Sequence, residues 1–424
     1  REREEFGAEL DELPHEVDLV FGDNEIGDAE VAVVSPGLKP HLEIFEARRE
    51  RSVPAVSEIE IAWEASRAPI LALTGTDGKT TTTAMLGEIA RCSERPSATG
   101  GNIGTPLSAV VDEVPAEGVV VAEVSAFQLW TCHGFRPRVA GFTNIAGDHL
   151  DYFDDRRSYR QAKRRLQANL GGDDCVVYNL DDPLIEQWSR TPPARRAVYS
   201  LRARPSEQAA IRTWLRDGWI VAERDGETRR LVDREAIGVP GEHNVSNAMC
   251  AATMALAAGL SAEAIGRGVA RFEALPHRVE PCGEVDGVRF VNDSKATNVN
   301  AALAGLSSLE EGFVAIVGGL DKGLDLAPLC EHLRERASGV VVIGEITDRL
   351  VAQLRAEGDG GLKIKTAESL EEATRLAFDR AVEQGSEVVL SPACSSFDMF
   401  DSYKERGEVF RRAVERHSSS RATT

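Results

Sequence analysis

LALTGTDGKTTTTAML, residues 71–86, decides the fold. An apolar strand runs into a glycine-bearing turn, Lys79 follows, and a row of threonines opens a helix. Backbone N–H groups at a helix N-terminus converge on an anion in such a turn. The lysine adds a point charge, and a hydroxyl such as that of Thr80 can reach a magnesium ion. The spacing departs from the common phosphate-loop pattern, because Leu73 stands five residues before Gly78. What is present is Gly75-Thr76-Asp77-Gly78-Lys79-Thr80-Thr81. A bare Gly-Lys-Thr also occurs in glycine-rich strand–helix turns that bind nothing. The preceding strand and four consecutive threonines tip the reading toward a nucleoside triphosphate, ATP or GTP.

Outward from this loop, strands alternate with helices. VVVAEV (119–124) and VAGFTN (139–144) are short apolar runs ending in polar residues, as parallel strands buried on both faces should be. SYRQAKRRLQANL (158–170) reads as a helix and CVVYN (175–179) as a strand, while WIVAE and RRLVD hint at antiparallel strands between 194 and 240. A long helix is expected over 241–260. After Pro276 a second series begins with VRFVND, FVAIVGG, GVVVIG and EVVLSP. The expected class is therefore α/β, with two wound sheets behind a smaller N-terminal part whose first clear strand is VAVVSP (31–36). The SSSRATT tail is expected to be disordered.

Composition narrows the function classes. A chain of 424 residues allows two to four domains and an ample core. Its net charge of −20 argues against a nucleic-acid partner, because phosphate backbones need clustered Lys and Arg. No apolar run approaches the roughly 20 residues that span a bilayer. Seven cysteines are scattered without a C-x-x-C pair, as suits reduced thiols in a cytoplasm and not a disulfide framework or zinc site. The chain starts at Arg1 without a methionine, and its first ten residues carry no structural pattern, as expected of a truncated N-terminus.

Ligands of open parallel sheets sit outside the carboxyl ends of the strands. Glu123 closes VVVAEV and Asp148-His149 follows FTN, so a carboxylate and an imidazole fall beside the triphosphate loop with Thr80 as a third magnesium ligand. Taken singly, Glu123 also suits a helix cap and His149 a satisfied turn histidine. Lys163, taken alone, is most simply part of a solvated basic helix face.

GTDGKTT, GGNIG (100–104), AEVSAFQL (122–129), NIAGDHLD (144–151), YRQAK (159–163), GEHNVSNA (241–248), LPHRVE (275–280), NDSKATN (292–298), GGLDKGLD (318–325) and SPACSSFDMF (391–400) occur here in one order. That order resembles the Mur ligases, in particular their D-glutamate-adding branch, from about Ser35 to Arg412. The resemblance implies three domains: a truncated Rossmann-like N-terminal domain at 1–65 that binds a UDP-linked substrate, a P-loop ATPase-like centre at 66–275, and a Rossmann-like amino-acid-binding domain at 276–424. It implies a cytoplasmic, monomeric ATP-dependent ligase of peptidoglycan synthesis that joins D-glutamate to UDP-N-acetylmuramoyl-L-alanine, with ATP and two Mg²⁺ ions. A folylpolyglutamate synthase-like or other Mur-type ligase, or a non-catalytic nucleotide-binding relative, remain the alternatives.

The same resemblance distributes roles. Lys79 falls to the β/γ-phosphates; Thr80 and Glu123 to one magnesium; His149 to a second, aided by Lys163 carried as a carbamate. Asn244 and Asn247 match positions near adenine. Arg278 matches an arginine that reaches ATP from the C-terminal domain, and Asp293 and Lys295 match residues near ribose and phosphates. Thr297, Lys322, Ser396, Phe397 and Tyr403 match the D-glutamate site. Ser35 and Gly37 lie in a uridine-side loop, and Asn102, Ser125 and Gln128 match the muramoyl-alanine side. Ala126 replaces a serine common in its block. The glycine-rich loop that would cradle the UDP pyrophosphate is not found in residues 1–30.

Overall fold

The computed structural model describes residues 28–36, 38, 42, 45–46, 50–146, 153, 155–206, 208–321, 323, 325–356 and 361–421. Seventeen strands are described: β1 Ala32–Val34, β2 Ala55–Ser57, β3 Ile70–Thr74, β4 Ser97–Gly101, β5 Val119–Glu123, β6 Val139–Phe142, β7 Cys175–Asn179, β8 Arg195–Ser200, β9 Ile211–Arg216, β10 Trp219–Arg224, β11 Glu227–Asp233, β12 Glu280–Val285, β13 Val288–Asn292, β14 Phe313–Gly318, β15 Ala337–Ile343, β16 Lys363–Thr366 and β17 Val388–Ala393. They form a two-stranded β1–β2 pair, a nine-stranded sheet and a six-stranded sheet.

The nine-stranded sheet has the order β11-β10-β9-β8-β7-β6-β3-β5-β4. It is parallel from β4 to β9, and β10 runs antiparallel to both its neighbours. The chain leaves β3 to build β4 and β5 on one side and then crosses to β6 on the other, so the phosphate-loop strand sits where the winding reverses. That is where an open sheet leaves a crevice at its carboxyl edge. β3 and β5 are buried along their whole length, because helices cover both faces. Separate apolar clusters fill the two sides: Leu71, Leu73, Val119 and Val121 with Met85, Leu86 and Met249 on one, and Ile70, Ala72, Val120 and Ala122 with Phe135 and Phe142 on the other.

The six-stranded sheet, β12-β13-β17-β14-β15-β16, is parallel except for the β12–β13 hairpin. Its last strand, β17, returns to the middle, which places the loops after β13, β14 and β17 together at one edge.

The strands that carry apolar runs match the expectation, and the antiparallel pair around 219–233 is present. Six strands lacked such a run, among them β2, which is only three residues long. β4 (SATGG) and β16 (KIKT) are edge strands, where polar and charged side chains are tolerated and unpaired edges are blunted. β8, β9 and β12 carry arginine, glutamate or proline among their apolar residues. Three Asp-Gly pairs, 217–218, 225–226 and 286–287, all with positive φ, make the tight turns of the β9–β10, β10–β11 and β12–β13 hairpins. The expected helix over 158–170 is a helix at Arg156–Arg164 followed by a 3₁₀ turn at Arg165–Gln167.

The helix after the phosphate loop, Lys79–Arg91, is pressed against helix Ala262–Arg271 so closely that a Cβ at Gly268 would run into the backbone of Ile89. Backbone cannot step aside as a flexible side chain can. Gly268→Ala is expected to destabilise the protein by about 1–3 kcal/mol through overpacking. A lowered urea midpoint with an unchanged slope would show this, and an unchanged midpoint would contradict the packing.

Candidate functional site

β3 ends at Thr74, and the chain turns through Gly75-Thr76-Asp77-Gly78 into the Lys79–Arg91 helix. Gly78 has φ 76°, and a Cβ there would strike the Asn247 side chain, so both conformation and space require glycine. The end of β6 fixes the turn from below. Thr76 N–H donates to the Asn144 carbonyl (2.8 Å) and Asp77 N–H to Asn144 Oδ1 (2.9 Å). Asn144 Nδ2 and Thr143 Oγ1 donate back to the Asp77 carbonyl at 3.1 and 2.7 Å. With these groups satisfied underneath, the N–H groups of the first helical turn remain as an anion site. Lys79 folds its ammonium onto the Thr76 carbonyl (2.6 Å).

The loop opens into a cleft of about 610 Å³ between the carboxyl edges of the two large sheets. Glu123, the last residue of β5, is 1% exposed. Asn102 Nδ2 donates to its Oε1 (2.8 Å), whereas Oε2 has no hydrogen-bond partner. A buried carboxylate oxygen without a donor is costly unless a cation meets it. Lys163 is 2% exposed; its Nζ donates to the Gly75 carbonyl (2.5 Å) and lies 4.6 Å from the Tyr159 ring centroid. It is therefore not part of a solvated helix face. Tyr159 in turn pairs its hydroxyl with Thr76 Oγ1 (3.1 Å), which ties this helix to the loop.

The second sheet contributes the opposite wall. The segment 275–279 is sharply kinked: His277 and Val279 have φ 64° and 45°, positions that a histidine rarely and a valine almost never adopts. Between them Arg278 lines the cleft, beside Asp293 and Lys295 from the loop after β13. Desolvation lowers the Arg278 pKa, opposed by the nearby Glu123 and Asp293 carboxylates. Burial and the Arg278 charge push Lys295 down to about 8, and its Nζ rests 3.8 Å from the Tyr403 ring centroid. Burial pushes Asp293 up to about 7 although Ser391 donates to it (2.8 Å). Asn298, which caps helix Val299–Leu306, also reaches Asp77 Oδ1 at 3.4 Å and so joins the C-terminal sheet to the phosphate loop.

Sequence-predicted residues gather here from distant parts of the chain. Thr76 to Thr81, Asn102, Glu123, Ser125, Lys163, Asn244, Asn247, Arg278, Asp293, Lys295, Thr297, Ser396, Phe397 and Tyr403 all line the cleft. Phe397 stands out as 68% exposed at its rim. Gly75 does not line it but presents the carbonyl that Lys163 holds. Gln128 stands behind Ser125 as the other half of a capping box. Ser35 follows β1 on the small sheet and is not among the cleft residues. Gly37, His149 and Lys322 lie outside the described residues. Among the described residues, no group of three or more His, Cys, Asp and Glu stands ready for a metal, and all seven cysteines are free thiols. No described helix is long and apolar enough to cross a membrane. Sequence reasoning missed Asn144, Tyr159, His243 and Asn298. All four lie inside blocks that carry the family resemblance, and Asn144 also had its strand-end position as a signal.

The chain matches the family description "Mur ligase middle domain" over residues 73–255 and "Mur ligase, glutamate ligase domain" over 277–394. It is 40% identical to the UDP-N-acetylmuramoylalanine–D-glutamate ligase of Pelotomaculum thermopropionicum over 91% of this chain and 83% of that one. It is 39% identical to the protein of the same name in Salinibacter ruber, over 96% and 89%. Among solved structures, MurF of Thermotoga maritima in complex with ADP superposes with a TM-score of 0.63 at 17% identity, covering 92% of this chain and 95% of that one. Mycobacterium tuberculosis folylpolyglutamate synthase shares the fold at a TM-score of 0.57 and 16% identity, covering 81% and 91%.

Because burial pushes Lys295 down to about 8, the cleft loses a cation as pH rises through that value, while Asp293, pushed up to about 7, gains its negative charge at the lower end of the same range. ADP affinity is expected to fall by up to about tenfold between pH 7 and pH 9, and Lys295→Arg, which keeps its charge, to flatten the profile. Calorimetric titration across this range checks it; an equally steep profile in Lys295→Arg would contradict the assignment.

Proposed function

The chain belongs to the Mur ligase family, and on that premise we propose that it joins D-glutamate to UDP-N-acetylmuramoyl-L-alanine while converting ATP to ADP and phosphate. The relatives at 39–40% identity carry that name over most of their length, which favours this acceptor over the folate-type substrate of a protein that shares the fold alone. The observation that carries the reading is the unpartnered Glu123 Oε2, buried at the floor of a cleft otherwise rimmed by Lys79, Arg278 and Lys295.

The chemistry asks for that arrangement. A carboxylate is a poor electrophile, so it attacks the ATP γ-phosphate to form an acyl phosphate. The amine of D-glutamate then attacks the acyl carbon, and phosphate leaves. The first step drives an anion against a polyanion and needs fixed positive charge. The helix N-terminus after Gly78 and Lys79 suit the β/γ-phosphates, and Arg278 and Lys295 approach them from the second sheet. Asn244 and Asn247 suit the adenine, with Asp293 toward the ribose. Thr297, Ser396, Phe397 and Tyr403, together with Lys322, are the proposed amino-acid side, and Asn102, Ser125 and Gln128 the muramoyl side. Ser35 and Gly37 are the proposed uridine side.

The buried, unpartnered Glu123 oxygen and the Thr80 hydroxyl in the same cleft suit one magnesium ion, and a second ion is proposed from the family resemblance. Thr80 and the unpartnered oxygen of Glu123 would hold one, and His149 with a carbamate on Lys163 the other. Bound magnesium supplies charge neutralisation for the two anions as they meet. Lys163 lines the cleft with its Nζ bonded to the Gly75 carbonyl, and a carbamate would keep one N–H for that bond while carrying the negative charge a second cation needs. A non-catalytic relative has no evident need to keep Lys79, Glu123, Lys163 and Arg278 in one cleft. We place the protein in the cytoplasm, as a monomer.

The test is ATP hydrolysis with UDP-N-acetylmuramoyl-L-alanine and each of D-glutamate, L-glutamate, L-lysine and glycine. Phosphate release is expected with D-glutamate alone; release with L-lysine or equally with L-glutamate would overturn the acceptor. Lys163→Ala is expected to lose activity and to regain part of it with added short carboxylic acids. Absence of any rescue would leave the carbamate without support.

A further inference from the structure

We propose that Asn102 is a positioning residue that holds Glu123 with one carboxylate oxygen turned to the cation and keeps it away from the neighbouring basic side chains. The inference rests on the cation-binding role proposed for Glu123 and concerns what orients it.

β4 ends at Gly101 beside the end of β5, and the two strands pair in register at Gly101 and Glu123. Beyond that point Asn102 wraps over the strand end. Its backbone N–H donates to the Glu123 carbonyl (2.9 Å), and its Nδ2 donates to Glu123 Oε1 (2.8 Å). This approach demands glycine before it: Gly101 has φ 100°, and a Cβ there would collide with the Glu123 backbone. The turn thus grips both the main chain and the head group of one residue.

The consequence lies in what remains. With Oε1 occupied, Oε2 is the oxygen left buried without a donor. Arg278 and Lys295 both feel the Glu123 charge. A carboxylate turned toward either of them would take a ligand from the metal and a cation from the phosphates together. Asn102 opposes this by supplying a competing neutral donor at fixed geometry. Groups that hydrogen-bond a ligating carboxylate typically contribute about 10–100-fold to metal affinity. A muramoyl contact by Asn102 does not require this grip, so the two roles are separable by experiment.

The experiment measures Mn²⁺ binding by electron paramagnetic resonance on the ADP-bound protein, with no UDP-linked substrate or glutamate present. Asn102→Ala and the near-isosteric Asn102→Leu are compared with wild type and with Glu123→Gln. Melting temperature and ADP affinity in EDTA report folding. The expected result is Mn²⁺ binding weakened about tenfold or more in both Asn102 variants, with no further loss when Asn102→Ala is added to Glu123→Gln, and ADP affinity in EDTA retained. Mn²⁺ affinity within twofold of wild type in a folded Asn102→Leu protein, while Glu123→Gln loses it, would overturn this inference and spare the role of Glu123. Unchanged affinity in Glu123→Gln would overturn both.

Discussion

Everything in the cleft depends on one constraint: the N–H groups of a helix's first turn must face an anion while the polar groups of the turn before it are satisfied from below. The Gly75–Gly78 turn meets it because Thr143 and Asn144, at the end of the neighbouring strand, occupy the Asp77 carbonyl and the N–H groups of Thr76 and Asp77. Lys163 takes the Gly75 carbonyl from a third direction. Oxygens that would repel phosphate are thereby turned inward, and the helix N-terminus faces the cleft alone. The reversal of winding at β3 makes this possible, because it brings the ends of β5 and β6 to either side of the loop.

A second sheet then completes what the first cannot. The central sheet supplies the anion site and one buried carboxylate, and the positive charge that balances a second anion comes from the kink at 275–279 and the loop after β13. Two non-glycine residues in the left-handed region bracket Arg278, and a buried network secures the rest. Asn292 Nδ2 lies 3.0 Å from His277 Nδ1 and donates to the Gly407 carbonyl, while Arg406 donates to Ser294 and to the Cys394 carbonyl. Strain held by a satisfied buried network is what a preorganised site looks like. The backbone that carries Arg278 and Lys295 is thus anchored, with Lys295 N–H donating to the His277 carbonyl (3.0 Å), and burial is what depresses the pKa of both cations.

Much of this was legible in the chain. Parallel strands buried on both faces announce themselves as apolar runs, so β3, β5, β6, β7, β13, β14, β15 and β17 could be read directly, and the strand-end rule placed Glu123 in the site. Edge strands such as SATGG and KIKT carry no such run, and the hairpins at Asp-Gly turns needed the turn chemistry more than hydropathy. Lys163 shows the limit of local pattern. Its neighbours along the chain, Arg160, Arg164 and Arg165, are basic and exposed, whereas at helical spacing it falls with the buried Tyr159, Leu166 and Gln167 and packs against the Gly75 carbonyl. The bonds between Asn102 and Glu123, and between Asn298 and Asp77, join residues 21 and 221 positions apart, so no local periodicity encodes them.

The central claim is that buried carboxylate and fixed cations create a place where two anions can meet. A crystal structure with ADP and Mn²⁺, the metal located by its anomalous signal, tests it most directly. The account predicts a manganese ion about 2.0–2.2 Å from Glu123 Oε2 and close to the Thr80 hydroxyl, with the phosphates on the Gly78–Thr80 backbone and Arg278 turned toward them. Manganese bound away from Glu123, or phosphates seated outside the turn, would contradict it.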